Sequence, residues 1–308
     1  MGRYTLRRLL QLVPVFLGTT FLIYFLVWGL SDDPFAGKCG QRACSPSFVA
    51  TMTQRYNLDD PLIVQYVKYL GALFSGDFGQ TFSGTEVSSL IASAYPTTVK
   101  LALVALAIEA IIGIAAGVLS GLRGQSFADS LVLVSTLFLI ALPVLVTGLV
   151  VKQFFGVELG WIRTSVPSNP SVGDLIVPGL VLASTSMAFV SRLVRTSLRE
   201  NLRADYVRTA TAKGLTRRRV VVVHLLRNSL IAVVTFLGTD LGALMGGAIV
   251  TEGVFNIRGI GNLVFRGVQQ QDIATVVGVV ALLTIVYLIA NLVVDLLYAV
   301  LDPRIRYD

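Results

Sequence analysis

Residues 273–300 read IATVVGVVALLTIVYLIANLVVDLLYAV, and Asp295 is the only charged side chain in the run. A hydrocarbon core of ~30 Å is crossed by about 20 helical residues, so this run predicts a transmembrane helix. Working outward, five more apolar runs have spanning length: about 9–30, 96–121, 128–154, 175–193 and 230–250. The composition agrees, because 54% of the chain is hydrophobic and only 14% is charged, far from the balance of a soluble domain. The expected fold is all-α and polytopic, with six transmembrane helices in one membrane domain. The first run is too long for a signal-peptide h-region. No small-x-small cleavage site precedes Ser31-Asp32-Asp33-Pro34, so this run is expected to stay as a helix.

A net charge of +7 would suit nucleic acid, but the basic residues cluster in loops between apolar runs, which is a topology signal rather than a binding face. With the N-terminus inside, the cytoplasmic side collects Arg3, Arg7, Arg8, Arg123, ten basic residues between Arg192 and Arg227, and Arg304 and Arg306. That is sixteen of the 25 lysines and arginines. Both termini are therefore expected in the cytoplasm. The chain divides into 1–30 (N-terminus and first span), 31–95 (external segment) and 96–308 (a five-helix core containing a cytoplasmic loop, 194–228). In the external segment Asp60 is expected to cap a helix with Pro61 in its first turn. Ile63, Tyr66, Val67, Leu70 and Leu73 share one face of that helix. Cys39 and Cys44 are too few for a zinc site; outside the cytoplasm they form either a disulfide or two free thiols.

Glycines recur every four residues in two spans: Gly113, Gly117 and Gly121 in the second, Gly238, Gly242 and Gly246 in the fifth. Each stripe lets another backbone approach closely, and in the fifth span it would equally leave room for a solute. Glu109, Asp240 and Asp295 are carboxyls at membrane depth, where ionisable groups face a bundle interior or water.

The loop reads Asp205-Tyr206-Val207-Arg208-Thr209-Ala210-Thr211-Ala212-Lys213-Gly214-Leu215. Tyr206 to Lys213 is expected to be a short helix, small at Thr209, Ala210 and Ala212 and ended by Gly214 as a left-handed cap. A second short helix is expected from Thr216 as N-cap. Two short helices around a glycine make a compact knob suited to a partner's groove. This stretch resembles the Glu-Ala-Ala loop of binding-protein-dependent ABC importer permeases: Glu-Ala-Ala, three residues, Gly, nine residues, Ile-x-Leu-Pro. Ala210, Gly214 and Leu226 match; Arg208, Thr209, His224 and Arg227 depart. Tyr-x-Arg-Thr-Ala-x-Ala-Lys-Gly-Leu is similar to the version in the dipeptide, oligopeptide and nickel subfamily. Tyr56 to Leu62 with Gln65-Tyr66, Gly76-Asp77-Phe78-Gly79, Thr251 to Phe255 with Gly259-Ile260-Gly261, and Asp302 to Tyr307 resemble that subfamily too.

The resemblance implies a coupling helix, Tyr206, Arg208, Thr209, Ala210, Ala212, Lys213, Gly214 and Leu215, docking on a cytoplasmic ATPase. It implies a heterodimer with a second, homologous permease, two ABC ATPase domains, an external binding protein and a peptide substrate in a lipid bilayer. Nickel complexes and haem are the alternative solutes. Asp240 would meet a peptide amine near the pathway or bond to a neighbouring helix, and Asp295 would make a structural pair. No Gly-x4-Gly-Lys-Ser/Thr loop occurs in the sequence, so ATP and magnesium are expected on the partners, with no cofactor, no metal and no catalytic residue in this chain. Gly259-x-Gly261 lacks the third glycine of a dinucleotide fingerprint. His224 is expected to be an ordinary loop residue. Two rival readings are a secondary transporter, which would need no docking loop and would show an internal repeat, and an aspartic protease built on Asp240 and Asp295.

Overall fold

The computed structural model describes residues 2–30, 44–81 and 83–301. Helix α1 (Gly2–Tyr24) continues through a π-type turn, Phe25–Gly29. Two shorter helices follow, α2 (Pro46–Tyr56) and α3 (Leu62–Phe74). α4 (Val87–Ile108), a π-type turn at Glu109–Gly113 and α5 (Ile114–Leu122) form one rod. α6 (Phe127–Ala141) meets α7 (Val144–Val151), which a π-type stretch extends to Glu158. α8 (Val172–Asn201) and α9 (Asp205–Ala212) come next. α10 (Arg217–Arg219) passes through a π-type stretch, Val220–Leu226, into α11 (Arg227–Phe255). α12 (Ile260–Gln269) and α13 (Ile273–Leu301) complete the order. The described residues show no β-pairing beyond the isolated bridge Gln80–Glu86. Five helices are long and apolar enough to cross a membrane, and the bent α6–α7 pair makes a sixth span if it counts as one. The all-α, polytopic expectation therefore holds.

α8 is the central helix, packed by α4, α5, α6 and α11. Ser171 caps it in a capping box with Asp174, which satisfies orphan donors at both ends of that turn. The second-span glycine stripe lies against it. A Cβ at Gly113 would sit 2.8 Å from Val190 Cγ1, at Gly117 2.6 Å from Val194 Cβ, and at Gly121 3.1 Å from Leu198 Cβ. At the end of α8 nearest Asn201, Asp129 of α6 accepts from Arg195 (2.7 and 3.0 Å) and Arg199 (2.7 Å) of α8 and from Ser120. Leu131, Val134, Leu137 and Phe138 on α6 face outward, as lipid contact requires.

Several elements differ from the sequence expectation. The run at 128–154 is not one straight helix; α6 and the α7 stretch meet at 101°. Leu142, before Pro143, is extended (φ −91°, ψ 125°), the bias that proline imposes on its predecessor. The turn seats α7 on α8 and α11, where a Cβ at Gly148 would lie 3.4 Å from Val181 and Val254. The second span begins at Val87 rather than at residue 96, because Val87, Ile91 and Ala94 are buried against α12 and α13 and hold an extra outer stretch helical. The fourth span continues to Asn201 because Val194 and Leu198 stay in the core. The helix after Thr216 is not short but is the start of the fifth span. Thr216 is its N-cap without a side-chain bond, and His224 lies inside that helix, not in a loop.

Helix α3, expected to be external, is also turned differently. Ile63 and Val67 are 69% and 60% exposed, whereas Gln65, Tyr66 and Leu73 are buried. Tyr66 packs edge-on to Phe21 and shares a 2.8 Å hydrogen bond with Thr20, so α1 takes the face carrying the hydrogen-bonding groups. Asp60 does not cap: Pro61 takes the N-cap position, and the Asp60 carboxylate pairs with Lys68 instead. Cys39 and residues 302–308 lie outside the described residues, and with them the Cys39–Cys44 expectation and the C-terminal motif. No cysteine among the described residues is free.

Candidate functional site

The knob between the fourth and fifth spans is built on α9. Its inner face is Val207 and Ala210, buried in a cluster with Val194 and Leu198 of α8 and with Val220 and Leu225. Tyr206 donates to Asn201 Oδ1 at 2.7 Å, and Asn201 Nδ2 donates to Ser229 Oγ at 3.1 Å. That chain of bonds ties α9 to the fourth and fifth spans. The end of α9 is a Schellman motif: Gly214 N–H donates to Thr211 O (3.0 Å) and Leu215 N–H to Ala210 O (3.4 Å). Gly214 takes φ +75°, the left-handed conformation such a cap requires. Arg208, Thr209, Ala212, Lys213 and Gly214 are exposed, whereas Tyr206 and Leu215 are half-buried. Ala210, expected among the docking side chains, faces the chain's own core because it stands three residues from Val207 on the same helix face. Periodicity alone identified the helix but not which side it would press inward.

At membrane depth the fifth-span stripe divides. A Cβ at Gly238 would meet Val294 at 3.2 Å, and one at Gly242 would meet Ala290 at 3.1 Å, so both glycines serve the packing of α11 on α13. Nothing lies within 4 Å at Gly246. Asp240 is half-buried. Its Oδ2 is buried without a hydrogen-bond partner, as are both carboxyl oxygens of Glu109 in the second span; the Asp295 side chain is outside the described residues.

On the expected external side, Glu252 is completely buried and accepts from Thr98 Oγ1 (2.7 Å) and the Asn262 amide (2.9 Å). Thr98 in turn accepts the Ile260 amide at 2.8 Å. One carboxylate thus joins α4, α11 and the N-terminus of α12, which favours negative charge. Gly259 lies directly against that carboxylate, and a Cβ at Gly261 would come 2.5 Å from Ile249 Cα. These glycines allow close approach, which accounts for the Gly-x-Gly pattern structurally. Between α4 and α12 a cavity of about 320 Å³ is lined by Ser93, Ser168, Arg258, Asn262 and Arg266, among others. Among the described residues, no cluster of three His, Cys, Asp or Glu side chains is placed to hold a metal ion.

Residues 113–307 match the family described as binding-protein-dependent transport system inner membrane component, and residues 1–102 match the N-terminal membrane component of such systems. The chain is 34% identical to the di/tripeptide transport system permease protein DppB of Pseudomonas aeruginosa. It is 33% identical to the oligopeptide transport system permease protein AppB of Bacillus subtilis and 35% identical to the glutathione transport system permease protein GsiC of Escherichia coli. Each match covers 100% of both chains. Membership of this family implies an ATPase, a substrate-binding protein and a second permease as partners. The chain belongs to the family of binding-protein-dependent transport system inner membrane components, as a multi-pass translocation subunit of the bacterial inner membrane.

Proposed function

We propose that this chain forms half of the channel of an ATP-driven importer whose solute is a di- or oligopeptide. The observation that carries the reading is α9: a knob fixed on its inner face and bare along Arg208, Thr209, Ala212 and Lys213. A helix of that kind transmits motion from a docked protein into the spans it is bonded to. ATP and magnesium belong to the two ATPase domains that dock there, and a second, homologous permease completes the channel. An external binding protein delivers the peptide. The relatives named for dipeptide, oligopeptide and glutathione transport support the solute class. Both termini lie in the cytoplasm, by the excess of Lys and Arg on that side. Cys39 and Cys44 then lie outside, where a disulfide persists. Asp240 and the open Gly246 are the pathway positions; Gly238 and Gly242 hold the helix that carries them.

Reconstitution tests this. Vesicles holding this chain, its second permease and the ATPases are expected to take up labelled peptide only with ATP and the binding protein. Uptake by this chain alone, driven by an ion gradient, would refute the importer reading. Uptake of a nickel complex or haem in place of peptide would refute only the solute.

A further inference from the structure

α11 ends at Asn256 in the left-handed conformation (φ 52°), which turns the chain sharply before α12 starts at Ile260. Ile257 is fully buried and anchors the turn. The turn brings Arg258 and Arg266, roughly two turns into α12, to one cavity of about 320 Å³.

The Arg266 guanidinium is positioned by neutral groups. It donates to Asn256 Oδ1 at 2.7 Å, and Asn256 Nδ2 donates to Ser165 Oγ at 3.4 Å. Its charge is thus fixed in place but not neutralised. Arg258 makes no hydrogen bond or ion pair among the described residues. Two serines sit at the same cavity: Ser93 donates its hydroxyl to the Leu90 carbonyl, whereas the Ser168 hydroxyl has no partner among the described residues. No carboxylate lines the cavity among the described residues. Glu252 lies behind Gly259, and its oxygens accept from Thr98 and the Asn262 amide. Two guanidinium groups against that one buried carboxylate leave the cavity with a positive excess.

Such a site repels a cation and lacks the oxygen ligands of a hard metal ion. A carboxylate matches it, because each guanidinium fork can hold one bidentately. The volume is that of a small-ligand site. We propose that this cavity binds the C-terminal carboxylate of the peptide solute, with Arg258 and Arg266 as its cationic donors and Ser168 as a neutral one. The inference rests on the peptide reading given above.

Phenylglyoxal modification of arginine tests it, read residue by residue by mass spectrometry on the permease pair with its ATPases in lipid nanodiscs. Alanyl-alanine in excess is expected to protect Arg258 and Arg266, and alanyl-alaninamide, which lacks the carboxylate, is expected to protect neither. Arg258→Gln removes no bond within the fold and is expected to weaken equilibrium binding of labelled alanyl-alanine about tenfold or more. Equal protection by acid and amide overturns the proposal. So does protection by inorganic phosphate but not by alanyl-alanine, which would mark a general anion site. Protection by the binding protein without peptide overturns it too, because the occupant would then be a protein side chain. ATP-driven uptake is measured on the same complex with its binding protein. Unprotected arginines in a complex that imports alanyl-alanine overturn the site and leave the importer reading standing. Unprotected arginines in one that imports a different solute instead overturn both the site and the peptide reading.

Discussion

Removing the Glu252 carboxylate would leave the Thr98 hydroxyl and the Asn262 amide without their acceptor in a site closed to water. Each abandoned buried donor costs roughly 1–3 kcal/mol. Glu252→Ala is therefore expected to lower the unfolding temperature by several degrees, and Glu252→Gln by less, because the amide oxygen still accepts. Thermal unfolding in detergent measures this; an Ala variant as stable as the parent would show that the carboxylate does not hold α12. Tyr56 offers a pH readout on the same side of the molecule. Burial pushes its phenol up from 10.0 to about 12, and its hydroxyl donates to the Gln80 carbonyl, a bond that ionisation would break. Above pH 10.0 the unfolded chain releases that proton while the folded chain keeps it, so the stability it contributes is present below pH 10.0 and is lost as pH rises towards about 12. An absorbance titration of the parent minus Tyr56→Phe should place one late-titrating phenol in that window. A difference curve centred at 10.0 would contradict the buried setting. Neither residue was legible from the sequence, because the burial of a single glutamate or tyrosine depends on which helices close over it.

At the scale of elements, the two glycine stripes look alike in sequence but differ in what they meet. Gly117 sits against the α8 backbone, with the Ser191 carbonyl 2.5 Å from where a Cβ would go. Gly117→Leu is expected to force α5 and α8 apart, at a cost of typically 1–3 kcal/mol or more. Gly246→Ala should change stability little, since nothing lies within 4 Å. Comparing the two variants by thermal unfolding checks this, and equal losses would mean that the stripes share one role. Six apolar runs, the short helix α9 and its Gly214 terminator were legible because length, apolarity and a left-handed cap are local properties. The 101° bend was not, although Pro143 stood in plain view. Pro14, Pro96 and Pro178 lie inside continuous helices, so proline alone does not decide. The bend at Pro143 is settled by the seat that Gly148 offers α7 on α8 and α11, a contact between segments far apart in the chain. The face of α3 failed for a related reason. In a membrane protein the most apolar face can go to lipid while hydrogen-bonding aromatics turn inward.

At the scale of the whole molecule, the proposed docking of an ATPase on α9 requires one contact that carries motion into the spans. α9 is attached to α8 and α11 by Tyr206, Asn201 and Ser229 and by the buried Val207 and Ala210, while its far side is bare. The two faces should therefore fail differently when altered. Thr209→Trp adds bulk on the exposed face, where ~±0.5 kcal/mol is the usual stability effect of a surface change. It is expected to leave the chain folded and paired with its second permease but to abolish ATPase co-purification. Tyr206→Phe removes a hydrogen bond worth about 1 kcal/mol and leaves the exposed face intact. It should retain the ATPase and its hydrolysis but deliver less uptake per ATP consumed. Gly214→Val combines the two faults, because a β-branched residue resists φ +75° at a cost of at least roughly 1–2 kcal/mol. It should lose both docking and uptake while the spans still insert. ATPase co-purification, hydrolysis rate and vesicle uptake, read on the three variants together, separate docking from transmission. Parent-level uptake with Thr209→Trp and Gly214→Val would mean that α9 is not where force enters the membrane domain.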